Sequence, residues 1–134
     1  MADIESHTVN EEKYYASSRV GDFELSIDAT GNEGPMPTEV LVADYASCYT
    51  FAFRAGAMRE HDIDLGRIET EASADLDDDD DIVDGSVSFT LHVEAELDDE
   101  QVEALIELGE EICHVHAAVH EGTHADIDVV PDAF

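Results

Sequence analysis

Gly34-Pro35-Met36-Pro37-Thr38-Glu39-Val40-Leu41-Val42-Ala43-Asp44-Tyr45-Ala46-Ser47-Cys48 passes from loop into helix, and the fold turns on that passage. Gly31 to Pro37 carries two glycines and two prolines, which is loop chemistry. Thr38 and Glu39 follow as an N-cap and an acidic first-turn residue, so a helix is predicted to begin there. From Val40 to Met58 the residues are apolar nearly all round, interrupted mainly by Asp44, Ser47, Thr50 and Arg54. Such a helix is buried on more than one side, which makes it the central helix of the fold.

Working outward, Lys13 to Val20 and then Phe23, Leu25 and Ile27 on alternate positions read as two strands joined at Gly21-Asp22. After the central helix, Ile68, Thr70, Ala72, Ala74 and Leu76 alternate with polar residues. Asp77 to Asp81 makes an acidic turn, and Val87, Phe89, Leu91, Val93, Ala95 and Leu97 alternate again, giving an antiparallel pair. The aspartate run lacks the glycine and distal glutamate of an EF-hand loop, so it is read as a solvated tip. Asp98 and Gln101 resemble a capping box. Val102, Leu105, Ile106, Ile112 and Cys113 then keep helical spacing up to a stop at Gly122. Ala125, Ile127 and Val129 alternate as a last short strand before Pro131. The order strand, strand, long helix, strand, strand, helix, strand predicts an α+β fold, with residues 1–134 as a single domain. So few strands cover an all-round apolar helix poorly, which predicts a homodimer that buries it.

Five Lys and Arg against 35 Asp and Glu give a formal net charge of −30, spread along the whole chain. Disorder is excluded because the acidic residues interleave with Val, Ile, Leu and Phe at strand and helix periods. A folded surface this acidic stays compact where cations screen it, which points to the cytosol of a salt-in halophile. Nucleic acid is excluded as a partner, since a polyanionic surface repels phosphate. No apolar run of 18 residues is free of charge, and Met1 to Glu12 has neither a basic nor an apolar leader region, so the chain is expected to be cytoplasmic and not membrane-bound. Basic residues are scarce enough that Lys13, Arg19, Arg54, Arg59 and Arg67 are each candidates for a specific task, with ordinary ion pairing as the alternative.

Cys48 and Cys113 are the only cysteines, each placed on an apolar helical stretch. Two such helices packed face to face can bring Cα atoms within the roughly 7 Å that a disulfide needs. Reversible thiol redox is then the candidate chemistry. The alternative is that each is a small buried hydrophobe.

The Gly34–Cys48 stretch, together with Glu110-Glu111-Ile112-Cys113-His114-Val115-His116, resembles the signature of the OsmC and organic hydroperoxide resistance family over roughly residues 9 to 130. There a Gly-Pro-x-Pro-x-Glu loop leads into a central helix carrying the first cysteine, and a second helix carries the other. The resemblance implies an OsmC-like fold, an intertwined homodimer, and reduction of organic hydroperoxides. Cys48 would attack the peroxide and become a sulfenic acid, and Cys113 would condense with it to a disulfide. An external dithiol, in one branch of the family a lipoylated protein, would close the cycle. No cofactor and no metal is implied. Cys48 lies about 15 Å along the helix from Thr38, beyond the reach of the macrodipole, so a guanidinium must favour its thiolate. The family takes that Arg from the N-terminal strands, and Arg19 is the Arg preceding the central helix. The usual Arg-holding Glu stands ten residues before the first cysteine; here that position is Thr38, with Glu39 next to it as the candidate. His114 stands where proline is common. The catalytic set implied is Cys48, Cys113, Arg19 and Glu39.

Four histidines, His114, His116, His120 and His124, follow Cys113. His116 and His120 at i, i+4 on one helix, with Cys113 a turn earlier, would form a zinc or copper face. A metal-binding dimer, or one that binds a small apolar ligand, is therefore the alternative to the peroxidase. His114 or His116 would in the peroxidase serve as acid or base during disulfide formation.

Overall fold

The structure, a computed structural model, describes residues 2–120 and 124–134. The expected hairpin is present: β2 (Tyr15–Val20) pairs antiparallel with β3 (Phe23–Asp28), Val20 opposite Phe23 and Tyr15 opposite Asp28. Gly21 takes φ of 59°, the left-handed conformation required in the two-residue turn. The first strand begins at Tyr15 and not at Lys13, because Lys13 itself sits at φ 56° in a turn. The Asn10 side chain holds that turn by donating to the Glu12, Lys13 and Tyr15 carbonyls. An additional strand, β1 (Ser6–Val9), pairs antiparallel with the other edge of β2. Its four residues are all exposed, so no apolar alternation marks it, and a Thr8–Ser18 hydroxyl bond of 2.8 Å ties it down.

Asp28, only 4 % exposed, organises the loop after β3. Its carboxylate accepts hydrogen bonds from the Thr30 hydroxyl (2.6 Å), the Thr30 N–H (2.8 Å) and the Glu33 N–H (3.0 Å). These bonds, that of the Thr30 hydroxyl foremost, hold the carboxyl below the usual carboxylate range. The stability it contributes is therefore present above its unfolded value near 3.8 and is lost as pH falls through the lower folded value. Asp28→Asn is expected to melt below wild type at pH 6, with the difference narrowing as pH drops below 3.8. Calorimetry of both proteins in multimolar KCl checks this, and a gap that stays constant with pH contradicts it. Gly34 follows in the same loop. A Cβ there would stand 2.5 Å from the Ser26 carbonyl oxygen, so the close return of the loop to β3 requires glycine.

Helix α1 (Pro37–His61) starts one residue before the predicted N-cap, Thr38. Pro37 is its first residue, and Glu39 reaches back to accept from the Met36 N–H at 2.9 Å. The helix ends at Asp62, which takes φ of 52° while Ile63 N–H returns to the Ala57 carbonyl. One side of α1 is buried through Ala46, Tyr49, Ala52, Phe53 and Ala57, while Leu41, Phe51 and Met58 are exposed.

Strands β4 (Ile68–Ser73) and β5 (Ser88–Val93) form a second, two-stranded sheet, extended by a bridge between Leu76 and Ile82. β5 stops at Val93, short of the predicted Leu97. At the acidic tip the Asp77 carboxylate accepts from the Asp79 and Asp81 N–H groups, a turn built by the aspartates themselves. Tyr45 of α1 meets Phe89 of β5 edge to face at 4.8 Å. Helix α2 (Asp99–Ile112) opens with the predicted capping box, Asp98 and Gln101 each bonding the other's N–H.

The second helix does not run on past Cys113. It breaks there, and α3 (His114–Ala118) begins. The predicted stop at Gly122 lies outside the described residues. Residues 125–129 form no strand: the alternation is there, but no strand among the described residues pairs with it, and Ile127 and Val129 are exposed. The result is an α+β fold of two antiparallel sheets with a long central helix. The chain divides into two compact units, Met1–Ala46 with Thr70–Leu91 and Ser47–Glu69 with His92–Phe134. No helix of the described residues is long and apolar enough to cross a membrane.

Candidate active site

The second unit holds both cysteines. Cys48, midway along α1, is half-buried, and Cys113, at the α2–α3 break, is 1 % exposed. Cys48 stands close enough to Cys113 to push the pKa of its thiol up. Cys113 caps both flanking helices: its N–H donates to the Gly109 carbonyl at 2.9 Å, and its sulfur accepts the His116 N–H at 3.3 Å. Burial foremost, with Cys48 adding to it, pushes the Cys113 thiol above its ordinary value of 9.0, against the opposing pull of the His116 and Val115 N–H groups. Cys113 is thus a protonated thiol at neutral pH, and Cys48 is the more accessible sulfur.

The helix pair that carries the sulfurs is built on two glycines. A Cβ on Gly56 would stand 3.0 Å from Leu108 Cβ, and one on Gly109 would stand 3.0 Å from Tyr49 Cζ. Tyr49, adjacent to Cys48, is 7 % exposed and donates its hydroxyl to the Ile106 carbonyl at 3.1 Å. Sequence reasoning passed over Tyr49 and Gly109. The available signal was a glycine inside a helix, which costs about 0.5–1 kcal/mol relative to alanine and so calls for a packing reason.

The two other expected site residues lie in the first unit. Arg19 is exposed on β2, opposite Glu24 on β3 and His7 on β1. Its guanidinium makes no hydrogen bond or ion pair among the described residues, Glu39 included. Glu39 spends one oxygen on the Met36 N–H. It lines a cavity of about 480 Å³ with Met36, Val42, Ala72, Leu76 and Ile82. Of the remaining cations, Arg54 donates to the Gly66 carbonyl and Arg67 pairs with Glu69, both structural contacts.

The proposed zinc or copper face loses its premise, because α3 ends at Ala118 and His116 and His120 do not share a helix. Among the described residues no group of three His, Cys, Asp or Glu side chains is placed to hold a metal ion.

The chain is 47 % identical to an uncharacterised protein of Haloferax volcanii over 134 residues, the whole of both chains. Its structure superposes on an OsmC-like protein from Mycoplasma pneumoniae with a TM-score of 0.70 at 14 % identity, covering 91 % of this chain and 90 % of that one. The organic hydroperoxide resistance protein OhrB of Bacillus subtilis gives a TM-score of 0.63 at 22 % identity, over 90 % of this chain and 93 % of the other. At these identities the likeness to the two solved structures is one of fold. The sequence itself carries the assignment further: residues 30–128, including both cysteines, match the OsmC-like protein family, and the chain belongs to it.

Proposed function

We propose that the protein is a thiol-dependent peroxidase that reduces organic hydroperoxides through a cycle of Cys48 and Cys113. The observation that carries this reading is the interaction of a half-buried thiol with a fully buried one, the arrangement a two-cysteine cycle needs. Cys48 attacks the peroxide as thiolate: an S–O bond forms, the O–O bond breaks, and the alkoxide leaves as alcohol on taking a proton. Cys113 then attacks the sulfenic sulfur, forming the disulfide as hydroxide leaves and takes up the Cys113 proton to become water. An external dithiol, such as a lipoylated protein, reduces the disulfide and is itself oxidised. The family resemblance assigns thiolate stabilisation to Arg19 and its orientation to Glu39, although no Arg19–Glu39 bond is present among the described residues. Tyr45, Phe51, Phe53 and Met58 flank Cys48 along α1 and favour fatty or aryl hydroperoxides over hydrogen peroxide.

Consumption of cumene hydroperoxide by the purified protein, in multimolar KCl with a dithiol, tests the reading. Turnover that stops when the dithiol is exhausted supports it. No consumption by folded protein overturns it. Because Cys113 is held protonated at neutral pH, disulfide formation after a single peroxide equivalent is expected to accelerate with pH, by about tenfold per unit below the raised pKa. Stopped-flow mixing between pH 7 and 9 reads this, and a flat profile contradicts it.

The chain acts as a single OsmC-like domain and as a homodimer in the cytoplasm. The apolar side chains left exposed, Phe23, Phe51, Met58, Ile127 and Val129, support a second copy, since a surface so acidic has little reason to carry them bare. A second reading, a dimer that binds a small apolar ligand, is favoured by the cavity of about 480 Å³ in the first unit.

A further inference from the structure

We propose that Tyr49, seated on Gly109, is a positioning residue that holds Cys113 within reach of Cys48, and so governs disulfide formation rather than attack on peroxide. The inference rests on the peroxidase reading and deepens it.

Three contacts fix how the cysteine-bearing helices meet. The Tyr49 hydroxyl bonds the Ile106 carbonyl, the Tyr49 ring covers Gly109, and Gly56 lies against Leu108. Tyr49 follows Cys48 directly in α1, and Gly109 accepts the Cys113 N–H one turn away in α2. The lock therefore ties together the turns of α1 and α2 that carry the two sulfurs. Cys113 is further constrained by the His116 N–H on its sulfur, so it approaches Cys48 only as the α2 end allows. Tyr49 is buried and its ring is engaged on Gly109, which removes it from the reacting atoms. A disulfide tolerates little misplacement, with Cα atoms usually within about 4.4–6.8 Å. Attack by an external peroxide on the accessible Cys48 carries no such requirement on the second helix.

Condensation of the Cys48 sulfenic acid with the Cys113 thiol forms S–S, breaks S–O and releases water. When that step is slowed, the sulfenic acid survives long enough to be trapped. Gly109→Ala places a Cβ against the Tyr49 ring and is expected to slow disulfide formation about tenfold or more, towards the roughly hundredfold that a 1 Å misplacement costs. Tyr49→Phe keeps the ring and removes the hydroxyl bond, with an expected slowing of about threefold. In both, consumption of the first equivalent of cumene hydroperoxide stays within about twofold of wild type. Dimedone-trapped Cys48 rises at the expense of disulfide, by mass spectrometry. That change in partition is a readout that loss of stability alone does not produce, and circular dichroism verifies folding. If Gly109→Ala fails to fold, Tyr49→Phe carries the test.

Diamide separates this inference from the reading beneath it, because it oxidises a dithiol to a disulfide without any peroxide step and is itself reduced to the hydrazine. Slower diamide-driven disulfide formation in the variants supports the lock even if wild type consumes no peroxide. Folded variants that form the disulfide as fast as wild type, with either oxidant, overturn the lock even if the peroxidase stands.

Discussion

Cys48→Ser is expected to lower turnover of cumene hydroperoxide by at least about 1000-fold, the order of loss seen when an enzyme's nucleophile is removed. Serine at that position is isosteric but remains a neutral alcohol at neutral pH, so there is no anion to attack the O–O bond. Cys113→Ser is expected to behave differently. Its Cys48 still takes one equivalent of peroxide, then stalls as a trappable sulfenic acid unless an external thiol resolves it. The contrast follows from the geometry, in which Cys48 is half-buried and Cys113 is buried with a raised thiol pKa. Rapid-quench peroxide assays on both variants check it. A Cys48→Ser protein that keeps wild-type turnover, or loss of the first equivalent in Cys113→Ser alone, would reverse the roles of the two sulfurs.

Transfer to low salt without divalent ions is expected to unfold the protein. With a formal charge of −30 on 134 residues, self-repulsion opposes the compact state. Screening in molar salt contracts the Debye length to about 3 Å, whereas at 0.01 M it is about 30 Å and most of the carboxylates interact. Cationic partners are too few to compensate, since Lys and Arg number five and Arg54 already bonds the Gly66 carbonyl. Helical circular dichroism lost on dialysis and regained on adding KCl is the expected result. Helicity that persists in low salt means that the acidic surface does not depend on screening.

Where local chemistry decided the structure, the sequence was legible. The β2–β3 hairpin, the Asp98–Gln101 capping box and the long helix all follow from side chains within a few residues of one another. The N-terminus of α1 was misplaced because threonine is the better N-cap by propensity. Pro37 at the first helical position and Glu39 bonding the Met36 N–H prevailed. The break at Cys113 left no trace in composition. No glycine or proline marks it, and the apolar spacing of Leu105, Leu108, Ile112 and Val115 continues across it. At the break the Cys113 sulfur accepts the His116 N–H as an N-cap, a role that cysteine, unlike Ser, Thr, Asp or Asn, does not announce in sequence. The last predicted strand, Ala125 to Val129, shows the limit of periodicity: alternation identifies a segment able to pair but not whether its own chain offers an edge. Among the candidate residues, the cysteines and Arg19 stand out in sequence by chemistry and scarcity. Tyr49 and Gly109 act through packing between two helices far apart in sequence, which spacing within either helix does not reveal.

The most direct test of the central claim is mass spectrometry of the reduced protein after one equivalent of cumene hydroperoxide in multimolar KCl. The account predicts an intact chain lighter by two hydrogens and a proteolytic peptide pair joined through Cys48 and Cys113. A chain that keeps both free thiols while the peroxide remains unconsumed would contradict it.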